Sequence, residues 1–315
     1  MIALVADIGG TRIKLGLIRE RRVIAQECIA ANSSEGLAAQ LPRIASAFES
    51  LCRDVGITVR DCTALAVAFP SLIDSASLRV RAAYGKYADA PQLDLSLWCR
   101  ETLGLQLLME NDARMALLGE WQVGAGRGSD DLVMVTLGTG LGTAALVEGH
   151  LMRGKHGQAG VLGGHLTVQQ NGRRCTCGND GCAEAEASTS VLPRIAAEAT
   201  GFSVSPLSRC KVIDYATVLE LAHDGDACSM YLRDRSLQIW SSMIVNLVHA
   251  YDPERVIVGG GIMAGDVGFF AELKHRVLAH ANTPWGRVEV VPGELGDTAA
   301  LLGGEFMITK TLSRH

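Results

Sequence analysis

Leu4-Val5-Ala6-Asp7-Ile8-Gly9-Gly10-Thr11 and Val133-Met134-Val135-Thr136-Leu137-Gly138-Thr139-Gly140 are two versions of one phrase. Each is an apolar run that stops at a glycine turn carrying a threonine. After the first, Ile13, Leu15 and Leu17 alternate with Lys14 and Gly16, the period of a strand. A charged turn at 19–22 and a third strand over 23–30 follow. After the second, residues 143–147 are strand-like and lead to the turn Glu148-Gly149-His150. Strand, glycine turn, strand, turn, strand therefore occurs twice, about 130 residues apart. An internal repeat of this kind predicts two related lobes, each presenting a glycine turn to a shared ligand cleft.

The rest of the chain fits an α/β class. Leu37, Leu41, Ile44, Phe48 and Leu51 carry helical spacing over 35–55; 65–69 is a buried strand ended by Pro70; 105–109 is a strand and 113–123 a helix. Beyond the second hairpin lie an irregular glycine- and cysteine-rich segment (154–182) and helices over 188–200, 215–223 and 227–251. A strand over 254–258 runs into Gly259-Gly260-Gly261. A helix from about Asp266 to His280, a short strand over 288–291 and a last helix over 298–312, with Asp297 placed to cap it, complete the chain. The expected division is an N-terminal lobe over 1–118, joined by the C-terminal helix at about 298–315, and a C-terminal lobe over 119–297.

Bulk properties narrow the function. A chain of 315 residues allows roughly two domains. A net charge of −5 supplies no basic field for nucleic acid or anionic lipid, so neither is expected as a partner. The opening MIALVADIGG lacks a basic leader, and no apolar stretch approaches the ~18 residues a membrane span needs. A soluble, cytoplasmic protein is expected. Cys28, Cys52, Cys62, Cys99, Cys210 and Cys228 are scattered and read as small buried hydrophobes.

Five constellations bear chemistry. In Asp7-Ile8-Gly9-Gly10-Thr11-Arg12, glycines let the backbone approach a phosphate with its N–H groups, and a strand-end Asp can hold Mg²⁺. The alternative is an ordinary hairpin turn. Leu137-Gly138-Thr139-Gly140-Leu141-Gly142 repeats the logic. Two such turns can clamp a polyphosphate, and neither is a P-loop or a Rossmann fingerprint. Gly259-Gly260-Gly261, between strand and helix, suits contact with a nucleoside, or simply needs positive φ. In Glu110-Asn111-Asp112-Ala113-Arg114, Asn111 or Asp112 either caps the helix or places a carboxylate to accept a substrate hydroxyl proton. His165, Cys175, Cys177 and Cys182 offer four N/S ligands for structural Zn²⁺, the alternative being free thiols. His156 and His150 are alternatives for the fourth ligand. Glu184, just past Cys182, is held by that knuckle in reach of a ligand, or is an exposed helix-start carboxylate.

Together these motifs resemble the ROK family of bacterial sugar kinases and regulators, of the hexokinase–actin–chaperone ATPase superfamily, over essentially the whole chain. The resemblance implies two ribonuclease-H-like (actin-like ATPase) lobes and an ATP-dependent carbohydrate kinase with Mg²⁺ and structural Zn²⁺. It implies the phosphate loops Asp7, Gly9, Gly10, Thr11, Arg12 and Gly138, Thr139, Gly140, and an adenosine loop at Gly259, Gly260, Gly261. It further implies Asp112 as catalytic base and Asn111, His165 and Glu184 as sugar contacts, with His165 also a zinc ligand beside Cys175-Thr176-Cys177-Gly178-Asn179-Asp180-Gly181-Cys182. A homodimer or homotetramer is expected on the same ground. The acceptor would be a hydroxyl, of the primary C6 type, on a hexose or a derivative.

Three departures from the family pattern stand out. Leu162 occupies the place of a sugar-binding Glu in Ala159-Gly160-Val161-Leu162-Gly163-Gly164-His165; Arg12 replaces a Lys; and Phe69-Pro70-Ser71 replaces Pro-Gly near the sugar, bringing Ser71 to that pocket. Leu162 motivates a competing reading, a catalytically silent sugar-binding or regulatory protein. The family's repressors carry a helix-turn-helix ahead of the first loop; a loop beginning at residue 7 leaves no room for one, so a repressor is not expected.

Overall fold

The structure is a computed structural model that describes residues 1–83, 86–264 and 267–313. The chain opens with strands β1 (Ala3–Ile8), β2 (Arg12–Arg19) and β3 (Arg22–Ala30) and helix α1 (Leu41–Asp54). Strands β4 (Ala64–Phe69), β5 (Leu72–Asp74) and β6 (Arg79–Ala82), helix α2 (Leu95–Trp98), strand β7 (Gln106–Asn111) and helix α3 (Asp112–Val123) follow. Next come β8 (Leu132–Leu137), β9 (Leu141–Val147) and β10 (His150–Leu151), then α4 (Ala183–Ala187), α5 (Leu192–Glu198), α6 (Tyr215–His223) and α7 (Ala227–Tyr251). Strand β11 (Arg255–Gly259), α8 (Val267–His280), β12 (Glu289–Pro292) and α9 (Ala299–Leu312) end it. The chain divides into two compact units. Unit 1 is Met1–Gly128, Leu151–Ala159 and Asp297–His315; unit 2 is Ser129–His150 and Gly160–Gly296.

Unit 1 is built on a sheet of order β3-β2-β1-β4-β7. β1 pairs antiparallel with β2 and β2 with β3, while β1, β4 and β7 run parallel. β4 is buried at every position, as its unbroken apolar run requires of a strand covered on both faces. α1 sends Ile44, Phe48 and Leu51 from one face into a core that includes Leu4, Leu15 and Val67. α3 and α9 meet at backbone distance. A Cβ on Gly303 would lie 1.8 Å from the Met115 carbonyl oxygen, and one on Gly119 2.0 Å from that of Ala299. That crossing admits only glycine, and it fixes the helix whose first residue is Asp112.

Unit 2 repeats the plan. Its sheet has the order β10-β9-β8-β11-β12, with β8 antiparallel to β9 and β8, β11 and β12 parallel. Counted from its own first strand, each sheet has the same serial order. The repeat read from the two glycine phrases is therefore a repeat of topology, and both units are ribonuclease-H-like, the architecture of actin-like ATPases.

Several boundaries differ from the sequence expectation, most of them where a distant segment claims the backbone or the capping side chain. α1 starts at Leu41 rather than 35, because the Asp89 carboxylate accepts the N–H groups of Leu37 (2.6 Å) and Ala38 (2.8 Å) and holds them in a loop. Pro42 then opens the helix in its first turn. α5 starts at Leu192 rather than 188, since the N–H groups of Thr189 and Ser190 donate to the carbonyls of Gly138 and Thr139. Asp297 does not cap α9. Thr298 occupies that position without a side-chain bond, and Asp297 instead accepts from Lys14 Nζ at 2.8 Å. α3 runs through residue 118 to Val123. Asp266 lies outside the described residues. The β5–β6 hairpin and α2 are too short to show a period. Among the described residues, no helix is long and apolar enough to cross a membrane.

Candidate active site

In unit 1, β7 ends at Asn111 and α3 begins at Asp112. Asn111 is the N-cap: its Oδ1 accepts the N–H of Arg114 at 3.2 Å. Its Nδ2 donates to the Ser71 carbonyl (3.2 Å) and to Asp112 Oδ1 (3.0 Å). Asp112 Oδ1 also accepts the N–H of Ala113 at 2.8 Å. Burial, and then the nearby Asp7 carboxylate, push the Asp112 carboxyl up to about 6, against the pull of backbone N–H bonds and of Lys86. A carboxyl poised there is mostly ionised at neutral pH and still able to take a proton, which is what a general base needs. Of the alternatives on sequence, capping falls to Asn111 and not to Asp112. Ser71 Oγ is buried with no hydrogen-bond partner among the described residues, while the Ser71 carbonyl takes the Asn111 amide.

The sequence did not reveal what braces this corner. Glu110 is fully buried; Oε1 accepts the N–H of Asn111 (2.9 Å) and Arg114 Nη1 (3.2 Å), and Oε2 accepts Arg153 Nε (2.7 Å). Arg114, also fully buried, donates on to the carbonyls of Gly157 (3.0 Å) and Ala159 (2.6 Å). A charge pair this deep holds only when its remaining donors and acceptors are satisfied, and here most are.

The first glycine loop closes with Gly9 N–H donating to the Arg12 carbonyl at 2.9 Å. Its carbonyls are tied down: Gly9 O accepts Tyr87 Oη (2.8 Å) and Gly10 O accepts Ser33 Oγ (2.9 Å). No acceptor among the described residues takes the N–H of Gly10 or Thr11, which leaves them available to an anion. Asp7 stands at the end of β1. Burial pushes its carboxyl up, and Lys14, 3.5 Å away, pulls it down. Arg12 is largely exposed, 3.9 Å from Asp297.

In unit 2, the second loop tightens through Gly138 N–H to the Gly140 carbonyl at 3.1 Å. Glu184, on α4, accepts the N–H of Leu141 at 2.9 Å, so this carboxylate braces the glycine loop rather than standing free at a helix start. Gly260 has φ +96°, and a Cβ there would lie 2.2 Å from the Leu137 carbonyl oxygen. The triglycine after β11 is thereby packed against the end of β8, where the second loop begins. Thr143 Oγ1 donates to the Gly160 carbonyl (2.6 Å) and accepts the N–H of Gly163 (2.9 Å), fixing the turn that carries Leu162 and His165.

His165, Cys175, Cys177 and Cys182 converge, their ligand atoms all within 4.8 Å of one another. Cys175 Sγ is 3.5 Å from His165 Nδ1, and Cys177 Sγ is 3.6 Å from Cys182 Sγ. Cys175 N–H to the Asn179 carbonyl (2.8 Å) and Gly178 N–H to the Cys175 carbonyl (3.1 Å) form the knuckle. Of the alternatives, His150 points its Nδ1 to the Glu148 carbonyl. A surface depression of unit 2 beside the knuckle is lined by residues such as Arg173, Glu186, Glu198 and Arg235, whose charges already pair with one another.

Comparison with known proteins bears on the whole chain. It is 29% identical to a glucokinase of Thermotoga maritima over 97% of this chain and 96% of that protein. It is 32% identical to an N-acetylmannosamine kinase of Yersinia pestis, over 98% and 99%. Among solved structures, the ROK family glucokinase of Streptomyces griseus in complex with glucose and AMPPNP superposes with a TM-score of 0.84 at 27% identity, over 98% of this chain and all of that one. The ROK family profile matches residues 3–311, from the first residue of β1 into the last turn of α9. Spanning both glycine loops, the Asp112 corner and the cysteine knuckle, that match places the chain in the ROK family.

Proposed function

We propose that this protein is an ATP-dependent sugar kinase that transfers a γ-phosphoryl group to a hydroxyl, of the primary C6 type, of a hexose or hexose derivative. Asp112 carries the reading: a desolvated carboxyl, pushed up to about 6, set at a helix start in the same unit as an anion-ready glycine loop. The glucokinase and N-acetylmannosamine kinase relatives, and the relative seen with glucose and AMPPNP, support the same chemistry.

Asp112 takes the proton of the attacking hydroxyl, held ready by Asn111 and the Ala113 N–H. Phosphoryl transfer asks more of positioning and charge balance than of basicity, which is why a modestly raised carboxyl serves. The N–H groups of Gly10 and Thr11 in unit 1, and the Gly138–Gly140 and Gly259–Gly261 loops in unit 2, are the nucleotide contacts. Asn111, Ser71, His165 and Glu184 are the sugar contacts; Ser71 Oγ has a hydrogen bond to give, whereas Asn111 and Glu184 already brace backbone.

Asp7 fits a hydrated Mg²⁺: burial penalises its charge, and a divalent cation would restore the ionised form. Bound there, Mg²⁺ would neutralise charge on the polyphosphate. The His165–Cys175–Cys177–Cys182 cluster fits structural Zn²⁺, with three sulfur donors, one imidazole nitrogen and no open position. That ion would tie the turn at His165 to the start of α4, which carries Glu184. A cytoplasmic homodimer or homotetramer completes the reading. Leu162 favours one alternative, a silent sugar-binding protein, because it removes a charged acceptor from the sugar pocket.

ADP release from ATP–Mg²⁺ with glucose, mannose, fructose, allose, their N-acetylamino derivatives and β-glucosides separates the two. Turnover on one sugar, absent in Asp112→Asn, supports the kinase and names its substrate. Sugar binding without turnover across the panel supports the silent protein.

A further inference from the structure

On that kinase reading, we propose that Lys86 is a further catalytic residue, its ammonium contacting the transferred phosphoryl group while Asp112 takes the acceptor's proton. Its side chain lies across Gly10, the second glycine of the first loop. A Cβ built on Gly10 would meet Lys86 Cε and Nζ at 2.5 Å and Cδ at 2.6 Å. The glycine leaves that space open, and the end of the lysine side chain fills it. The charge also reaches the catalytic corner, since Lys86 pulls the Asp112 carboxyl down against burial.

The other cations of this loop are spoken for. Lys14 lies 3.5 Å from Asp7 and 2.8 Å from Asp297, and Arg12 lies 3.9 Å from Asp297. No carboxylate among the described residues pairs with Lys86. An ammonium with no ion-pair partner among the described residues, beside the open N–H groups of Gly10 and Thr11, is a receptor for a dense anion such as a terminal phosphoryl.

The placement is enforced. Tyr87, fully buried, has φ +53°, a conformation that a bulky residue holds only when its surroundings impose it. Its Oη donates to Gly9 O (2.8 Å) and its N–H to Ser33 O (3.0 Å), while Ser33 Oγ donates to Gly10 O (2.9 Å). Asp89 fastens the same segment to Leu37 and Ala38. The strained tyrosine and the loop are thus one assembly, and it aims Lys86 over Gly10.

The step balances without a change in Lys86. The acceptor oxygen forms its bond to the γ-phosphorus, the bond from that phosphorus to the bridging oxygen breaks, and the electron pair leaves with ADP. The acceptor proton goes to the Asp112 carboxylate. Lys86 stays protonated and donates to a phosphoryl oxygen, where preorganised charge lowers the barrier.

Lys86→Met keeps the length of the side chain and removes the charge. Calorimetry on the intact protein with Mg²⁺ and either ATP or ADP gives a readout independent of turnover. The expected result is a loss of ATP affinity of about tenfold or more, with ADP affinity changed less than about twofold. In the sugar assay kcat falls about 100-fold, Lys86→Arg recovers part of the loss, and the acid limb of the pH profile moves up. Equal losses for ATP and ADP, or no loss for either, overturn the role of Lys86 while leaving the kinase reading intact. A wild-type protein that binds neither nucleotide overturns the kinase reading itself.

Discussion

Asp112→Asn should abolish turnover and at the same time stabilise the fold at neutral pH. The carboxyl rises from 3.8 to about 6 on folding, with burial as the leading cause. A group whose folded value lies above its unfolded one is penalised as an anion, fully above pH ~6 and not at all below its unfolded value. At 1.36 kcal/mol per unit, the penalty at pH 7 is about 3 kcal/mol. Asparagine has the shape of the neutral acid, and its Oδ1 can still accept from Ala113 N–H and Asn111 Nδ2, the bonds made at 2.8 and 3.0 Å. The variant therefore escapes the penalty without losing partners, and gains up to ~3 kcal/mol, several degrees in Tm for a chain of this size. Thermal unfolding of both proteins from pH 7.5 to 4 checks the sign: the difference should shrink to roughly half near pH 5 and approach zero below 4. A variant less stable than wild type at pH 7, or a gain independent of pH, would mean that Asp112 is not a desolvated carboxylate and would remove the basis for its role.

Other outcomes follow from the same structure. Because the base must be ionised, turnover should fall about tenfold per pH unit below ~6, read from kcat/KM against pH; an acid limb near pH 4 would place the proton acceptor elsewhere. Protein purified without chelator should carry one zinc per chain by elemental analysis, and Cys182→Ser should lose it and lower both Tm and sugar affinity, since Cys182 immediately precedes the helix through which Glu184 holds Leu141. Arg114→Leu should cost about 3–5 kcal/mol in denaturant unfolding, because it strips a fully buried Glu110 of one of its two cations.

What could be read in the sequence was what is local. The glycine phrases announce themselves because strand period, turn and threonine lie within eight residues of one another, and the sheets bear out the repeat they imply. The cysteine knuckle is equally local, and only the histidine that joins it, His165, needed the fold to come there. The parts that stayed hidden depend on contacts across long stretches of chain. Arg114 finds its acceptors 43 and 45 positions away, and Tyr87 reaches Gly9 across 78. Lys86 looks like any lysine in a loop until those contacts lay it over Gly10. Helix starts were misplaced where side chains of remote segments claim the backbone: Asp89 takes the N–H groups of Leu37 and Ala38, and nothing in residues 35–40 advertises it. Asp297 has the chemistry of a cap, but a lysine from β2 outbids the helix for it.

The central claim is transfer of a phosphoryl group to a sugar, and ³¹P NMR of the protein with ATP, Mg²⁺ and the best sugar of the panel tests it most directly. The account predicts a new phosphomonoester resonance split by a methylene group, growing in step with ADP and absent with Asp112→Asn. Inorganic phosphate growing in step with ADP, with no ester, would contradict it and make the protein an ATPase that its sugar merely stimulates.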